Sequence, residues 1–320
     1  MKFFHTCKVK TNEEAVIPNN LRYQQLVGKV AAADALTSVR VAHIMLAGES
    51  AVNSITRRQS LENFQIPMKR TMMGLYMIEV LVNHQKLQFV LDTGAQVSGI
   101  CEHAARKLGL DSTSGKMRIS SVGGQEKAMR GWIAGSLQVG ALELFQYPMI
   151  TIEKLKLPMI RMDGIIGWDI LSTLDFEMDD ISKLFIVMKN RYRFDYCNLI
   201  KGMFPIMILL DENSDMHLFG MDSGATVSWL NEASALEAKR KVVNEITAVG
   251  IGVHGAEQLN LKVFEGCEYR LFKAKIKITN INTGRTDVLP GLQLDGVLGN
   301  EIFRNRRIRF INSKGMVLLA

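Results

Sequence analysis

Residues 89–95 read Phe-Val-Leu-Asp-Thr-Gly-Ala, a run of strand-like apolar residues that leads Asp92 into a tight turn. Residues 219–225 read Phe-Gly-Met-Asp-Ser-Gly-Ala and place Asp222 in the same setting, 130 positions after Asp92. An ionised carboxylate loses much free energy when it leaves water, so an acid behind a buried strand needs a compensating role. Two acids in matching settings predict that Asp92 and Asp222 meet.

Two further signals repeat at almost the same distance. Strand-like segments reach a glycine tip at Gly123 and again at Gly250, which lies 127 positions later. Asp-Gly-apolar-apolar-Gly motifs end at Gly167 and Gly299, which are 132 positions apart. These offsets predict an internal repeat of domain size. The predicted organisation is an N-terminal segment over residues 1–66, a first lobe over 67–190 and a second lobe over 200–320.

The repeated unit is built mainly from short strands. Residues 73–82 and 87–91 read as strands joined by the polar turn 83–86, and each unit ends in a predicted hairpin. A short helical pattern occurs once in each unit, at 97–110 and 233–238. The fold class predicted for both lobes is therefore mainly β.

Residues 1–66 have a different pattern. Apolar residues recur at helical spacing from Leu21, with Asn20 as a suitable N-cap, and the segment is predicted to be a small α-helical unit. His43 lies on the apolar stripe, where a structural histidine is expected rather than a metal ligand. Two interpretations stay open: an appendage that packs on the main body or on a second copy of itself, and an inhibitory prosegment or regulatory dimerisation element.

Composition gives few functional signals. The 47% hydrophobic and 22% charged content is ordinary for globular chains, and the net charge of +7 is spread along the sequence. Only residues 304–309 are densely basic, and a solvated face or turn is expected there, so no nucleic-acid partner is predicted. No Cys-x-x-Cys pair, signal peptide or run long enough to span a membrane is evident, which predicts a cytoplasmic protein with reduced thiols.

The two Asp-Thr/Ser-Gly-Ala turns, each followed about seventy positions later by an apolar-apolar-Gly motif, resemble the aspartic peptidases, and retropepsin-like lobes in particular. The resemblance covers residues 67–320. It implies two homologous retropepsin-like β-barrel lobes fused in one chain, each with a ψ-loop. It also implies an enzyme that hydrolyses peptide bonds.

Chemistry gives a reason for paired acids. Two carboxylates about 3 Å apart share a proton, so that one acts as a base toward water while the other acts as an acid toward a carbonyl. The resemblance implies Asp92 and Asp222 as the catalytic pair. The implied support of the active-site loops comes from Thr93, Gly94, Ala95, Ser223, Gly224 and Ala225, and that of the ψ-loops from Ile166, Gly167, Leu298 and Gly299. Candidate flap tips are Gly123, Gly124, Gly250 and Gly252, with ordinary turns as the alternative.

The sequence departs from pepsin-like enzymes at two places. No tyrosine lies near Gly123 or Gly250, and alanine follows each Asp-Thr/Ser-Gly triplet, where pepsin-like members often have serine or threonine. A hydroxyl there would stabilise the ionised carboxylate and lower its pKa. Because Ala95 and Ala225 lack it, we expect a pH optimum closer to neutral.

Other chemistries lack sequence support. No His-Glu-x-x-His, phosphate loop or Gly-x-Ser-x-Gly motif is present, and the six histidines are scattered, so neither a metal nor a cofactor is implied. The leading hypothesis is an aspartic endopeptidase that binds an extended peptide or protein substrate between the lobes, under flaps. The alternative is a non-catalytic peptide-binding or regulatory module on the same fold.

Overall fold

The computed structural model describes most of the chain. The described residues are 24, 25, 27, 28, 39–59, 62–120, 126–152, 162–189, 193, 194, 197–252, 255–284, 286 and 292–320. Strands predominate among these residues, and the predicted mainly β fold is confirmed.

The elements of the first half begin with two short helices and continue as strands. In chain order they are α1 Val39–Ala47, α2 Glu49–Asn53, β1 Thr56–Gln59, β2 Phe64–Arg70, β3 Tyr76–Val82, β4 Gln85–Leu91, β5 Gly99–Cys101, α3 Glu102–Lys107, β6 Asp111–Ser112, β7 Met117–Ser120, β8 Glu126–Met129, β9 Gly131–Val139, β10 Leu142–Ile152, β11 Gly164–Ile166, α4 Trp168–Leu171, β12 Asp175–Asp179 and β13 Leu184–Val187.

The second half repeats much of this order. Its elements are β14 Leu199–Lys201, β15 Pro205–Leu210, β16 Met216–Met221, β17 Trp229–Leu230, α5 Glu232–Glu237, β18 Val242–Gly252, β19 Gly255–Leu271, β20 Ala274–Thr283, β21 Gly296–Leu298, the 3₁₀-helix Asn300–Phe303, β22 Arg307–Ile311, the 3₁₀-helix Asn312–Lys314 and β23 Met316–Leu319.

Each half contains a closed ring of six strands. In the first half the ring runs β3, β4, β11, β5, β10, β9 and returns to β3. In the second half it runs β15, β16, β21, β17, β20, β19 and returns to β15. The parallel and antiparallel pairs occur in the same order, so the two rings have the same topology. Strands β4 and β16 end next to the parallel strands β11 and β21, which places the two Asp turns beside the two Gly motifs.

The N-terminal segment ends earlier than its composition predicts. A helical segment was expected up to residue 66, but strand β1 begins at Thr56 and β2 at Phe64. All four residues of β1 are exposed and pair antiparallel with residues 142–145 of β10, so long-range pairing rather than local propensity determines their conformation. Helix α1 packs against β9 and β10 of the first ring and against β7, which pairs with β8 outside the ring. The expected N-cap Asn20 and the start of the predicted helix lie outside the described residues.

A separate group of strands joins the halves. Strand β12 pairs with β13 on one side and with β22 on the other, and β22 pairs with β23. Across the β12–β22 boundary, Arg309 Nη2 lies 2.6 Å from Glu177 Oε2, and Arg307 Nε lies 3.0 Å from Asp179 Oδ2. Both acids are buried. The basic stretch, which we expected to be a solvated face or turn, therefore supplies cations to the contact between the halves.

Candidate active site

The structure brings the two Asp turns together. Asp92 follows β4 and Asp222 follows β16, and each carboxylate packs against the glycine of the opposite turn. A Cβ placed on Gly94 would lie 2.3 Å from Cγ of Asp222, and one on Gly224 would lie 2.5 Å from Oδ2 of Asp92. Real Cβ contacts are not this short, so only glycine permits this approach.

Each turn holds one oxygen of its own carboxylate. Oδ1 of Asp92 and Oδ1 of Asp222 each accept two backbone hydrogen bonds. The donors are the N–H groups of Gly94 at 2.9 Å and Ala95 at 3.0 Å in the first turn, and of Gly224 at 2.8 Å and Ala225 at 3.1 Å in the second. Both acids are half-buried, so solvent still reaches the pair.

Burial and proximity favour a shared proton. Burial raises the pKa of Asp222 well above its ordinary value, and the charge of Asp92 and the hydrogen bond between the two side chains raise it further. Burial also raises the pKa of Asp92, although hydrogen bonds from Asp222, Ala95 and Gly94 oppose that rise. The two carboxyls therefore titrate as a pair and retain a proton to higher pH than isolated aspartates.

Thr93 and Ser223 exchange hydrogen bonds across the two turns. Thr93 Oγ1 donates to the carbonyl of Met221 at 2.7 Å and accepts from the N–H of Ser223 at 2.9 Å. Reciprocally, Ser223 Oγ donates to the carbonyl of Leu91 at 2.8 Å and accepts from the N–H of Thr93 at 2.9 Å. Both side chains are fully buried. The four bonds lock the turns to each other beneath the carboxylates.

The first Gly motif supports the first turn through its backbone. The N–H of Asp92 donates to the carbonyl of Ile166 at 3.0 Å, and the N–H of Trp168 donates to the carbonyl of Ala95 at 2.7 Å. A Cβ on Gly167 would lie 2.7 Å from that same carbonyl oxygen. The motif thus needs glycine because the turn packs directly on it.

The second Gly motif makes the equivalent contacts. The N–H of Asp222 donates to the carbonyl of Leu298 at 2.9 Å, and the N–H of Asn300 donates to the carbonyl of Ala225 at 2.8 Å. A Cβ on Gly299 would lie 2.5 Å from Oε2 of Glu301 and 2.6 Å from the carbonyl oxygen of Val227, so glycine is needed here too. The two Asp turns therefore have matching supports.

A second layer of polar residues escaped the sequence analysis. Ser98 Oγ donates to Asp169 Oδ1 at 2.7 Å, while the N–H of Ser228 donates to Glu301 Oε1 at 2.6 Å. Each serine lies six positions after its aspartate, and each acid lies two positions after its motif glycine. Alignment of the two repeats at these offsets pairs Ser98 with Ser228 and Asp169 with Glu301, but it does not show what these side chains contact.

The Asp residues that precede the Gly motifs have a structural role. Asp163 Oδ2 accepts the N–H of Gln88 at 2.9 Å, and Asp295 Oδ2 accepts the N–H of Leu218 at 2.8 Å. Each carboxylate thereby binds the backbone of the strand that leads to an Asp turn. These contacts account for both Asp-Gly pairs without a chemical role.

The structure describes less of the first candidate flap than of the second. Strands β7 and β8 form an antiparallel hairpin, whose predicted tip at Gly123 and Gly124 lies outside the described residues. In the second half β18 and β19 form a much longer hairpin, in which Gly250 and Gly252 belong to β18. Gly252 pairs with Gly255 at the end of the described ladder.

Neither a candidate metal site nor a membrane-spanning helix occurs in the described ranges. Within the described ranges, no group of three or more His, Cys, Asp or Glu residues has the arrangement of a metal site. No helix in the same ranges has the length and hydropathy needed to cross a bilayer.

Comparisons with known proteins match part of the chain. Residues 78–173, less than half of the chain, match the family model described as "gag-polyprotein putative aspartyl protease". No curated protein matches the chain. Among the solved structures that match is a retropepsin-like aspartic protease from Rickettsia conorii, with 22% identity, a TM-score of 0.30, and coverage of 42% of this chain and 92% of that one. The chain has an aspartic protease-like fold.

Proposed function

We propose that the chain is an aspartic endopeptidase that hydrolyses peptide bonds by activating water between Asp92 and Asp222. The observation that carries this proposal is the contact between two half-buried carboxylates, each held by its own turn. Burial raises the pKa of both carboxyls, so the pair holds one shared proton and the unprotonated carboxylate accepts a proton from water. The protonated carboxyl then donates its proton to the peptide carbonyl, and no covalent intermediate is required.

The proposal includes how the site is assembled. Residues 67–190 and 200–320 form two lobes that derive from one duplicated retropepsin-like unit, which the equal topology of the two rings supports. An extended peptide binds between the lobes under the hairpins β7–β8 and β18–β19, where backbone pairing supplies affinity. The proposal includes a cytoplasmic location with reduced thiols.

Asp-to-Asn substitutions test the proposed chemistry. The full chain and its Asp92→Asn and Asp222→Asn variants are incubated with a proteome-derived peptide mixture, and new termini are quantified by mass spectrometry. Each variant should lose about 10³-fold in rate, because an amide cannot serve as base or acid in the pair. Asp111→Asn, at an exposed position, is the matched control and should cut like the parent. Full activity in Asp92→Asn would contradict the mechanism.

A binding measurement distinguishes an enzyme from a non-catalytic module. A peptide that carries a statine hydroxyl mimics the tetrahedral intermediate, so a competent pair should bind it far more tightly than the matching unmodified peptide. Equal affinity for the two peptides, together with absence of cleavage, would support the binding module instead.

A further inference from the structure

Asp169 is a buried acid behind the first Asp turn. Its side chain is fully covered, and its oxygens accept four hydrogen bonds. The donors are Ser98 Oγ at 2.7 Å, the N–H of Ser98 at 3.0 Å, Tyr147 Oη at 2.8 Å and its neighbour's N–H, on Ile170, at 3.0 Å. A buried carboxylate requires such partners, because it has lost its hydration.

Asp169 is connected to the catalytic turn through Ser98. The hydroxyl of Ser98 donates to Asp169 and also accepts the N–H of Gly167 at 2.9 Å. Ser98 ends the loop that begins at Asp92, and its carbonyl accepts the N–H of Ile150 at 3.0 Å. The orientation of Asp169 therefore determines where the end of this loop is held.

Helix α1 brings a histidine to this acid from outside the repeat. His43 Nε2 lies 3.5 Å from Asp169 Oδ2, and the imidazole contacts the ring of Tyr147 edge-on with 5.3 Å between centroids. His43 is 4% exposed. Within the described part of the chain its Nε2 is buried and makes no hydrogen bond. A buried N–H group at Nε2 is costly to leave unpaired, and a carboxylate oxygen of Asp169 lies 3.5 Å from this nitrogen.

The helix is firmly seated at this position. Leu46, fully buried, packs over Gly131, and its carbonyl accepts the N–H of Gly115 at 2.9 Å. A Cβ on Gly115 would lie 2.0 Å from the carbonyl oxygen of Met45, so this glycine admits the helix backbone. Gly115 lies two residues before β7, the first strand of the first hairpin. Helix α1 thus contacts β9 of the first ring at Gly131 and the segment before the first hairpin at Gly115.

The second half offers an internal comparison. Glu301 occupies the position of Asp169, and its Oε1 accepts the N–H of Ser228. Its Oε2 is buried without a hydrogen-bond partner in the described ranges, and burial raises the pKa of Glu301. No histidine reaches this acid from the described part of the chain. The first half therefore has a histidine beside its acid, whereas the described part of the second half has none there.

We propose that His43 is a positioning residue, which orients Asp169 and through Ser98 holds the loop of Asp92, so that helix α1 is a working part of the first lobe. This inference rests on the proposed function. If the inference is right, the enzyme needs the N-terminal segment to reach its full kcat. The inhibitory prosegment left open by the sequence predicts the opposite, a faster enzyme when the helix contact is weakened.

Replacing His43 by each of the two amide residues, asparagine and glutamine, tests the proposal. The amide nitrogen of glutamine reaches the position of His Nε2, whereas that of asparagine, one methylene shorter, reaches only the position of Nδ1. His43→Asn should lower kcat about tenfold with KM changed less than about twofold, because Asp169 holds the loop and does not contact substrate. His43→Gln should retain kcat within about threefold. Met45→Ala, on the exposed face of the same helix, should match the parent.

The outcomes separate this inference from the proposed function. An inactive parent chain contradicts the endopeptidase itself. An active parent whose His43→Asn variant is equally fast, or faster, contradicts the positioning role and leaves the endopeptidase standing. Thermal unfolding of all four proteins shows which are folded at the assay temperature. If His43→Asn is unfolded, a kcat for His43→Gln as low as one tenth of the parent's would overturn the proposal.

Discussion

At the residue scale, Ala95 and Ala225 determine which donors reach the carboxylates. Each donates its backbone N–H to the Oδ1 of its own aspartate, and its methyl group has no further donor to offer. Because burial already raises the pKa values of both carboxyls, the absence of hydroxyl donors leaves the shared proton bound at higher pH.

A hydroxyl at position 225 should move the pH profile toward acid. In Ala225→Thr the new O–H stabilises the ionised pair and lowers its two apparent pKa values, so both limbs of the profile of kcat/KM should shift down by about one pH unit. Ala225→Val has nearly the same shape without the hydroxyl and is the control. Identical profiles for the two variants would contradict this account.

The residues of the two Asp turns could be predicted to lie together from sequence, while the contacts of the polar residues behind them could not. Asp92, Thr93 and Gly94 form a recognisable triplet, and the repeat doubles the signal. Ser98 and Asp169 are common residue types whose role depends on a contact between positions 71 apart. Such a contact becomes visible only once the parallel pair β4–β11 brings the two segments together.

At the element scale, the two Asp turns depend on each other for their hydrogen bonds. Thr93 and Ser223 satisfy buried backbone groups of the opposite turn, so neither turn is complete alone. The resemblance implied that Thr93 and Ser223 support the active-site loops, and the geometry gives the physical reason, since a buried unpaired N–H or carbonyl is costly.

Removal of one hydroxyl should destabilise the whole chain. Thr93→Val keeps the shape but leaves the N–H of Ser223 and the carbonyl of Met221 unpaired, which should lower the free energy of unfolding by about 2–4 kcal/mol. Thr93→Ser keeps the hydroxyl and should lose about 1 kcal/mol or less. Urea unfolding monitored by tryptophan fluorescence measures both values. Equal losses would show that the methyl group, not the hydroxyl, matters.

Sequence patterns located most elements but not all of their limits. The helix expected within 97–110 is confined to Glu102–Lys107, because residues 99–101 pair with β10 and β11. Strand β1 was missed for a similar reason, since its exposed residues have no alternation and pair only through β10. Local propensity does not encode a partner that lies more than eighty residues away.

At the scale of the whole molecule, the halves share strands as well as turns. The offsets between repeated motifs predict two units of equal order, but they give no sign that β22 pairs with β12. The pairs Glu177–Arg309 and Asp179–Arg307 lie directly opposite each other in this register. The positions of charged residues in the sequence could not reveal these ion pairs, because a basic stretch has the same sequence whether it faces water or a buried acid.

The shared strands have a consequence for how the protein behaves on dilution. A site assembled from two separate chains falls apart as its concentration drops below the dissociation constant, whereas a tether keeps the second turn at an effective concentration of about millimolar order. Turnover per mole of chain should therefore stay constant when the protein is diluted from micromolar to picomolar in a fluorogenic peptide assay. A fall in turnover at low concentration would mean that a second copy completes the working unit.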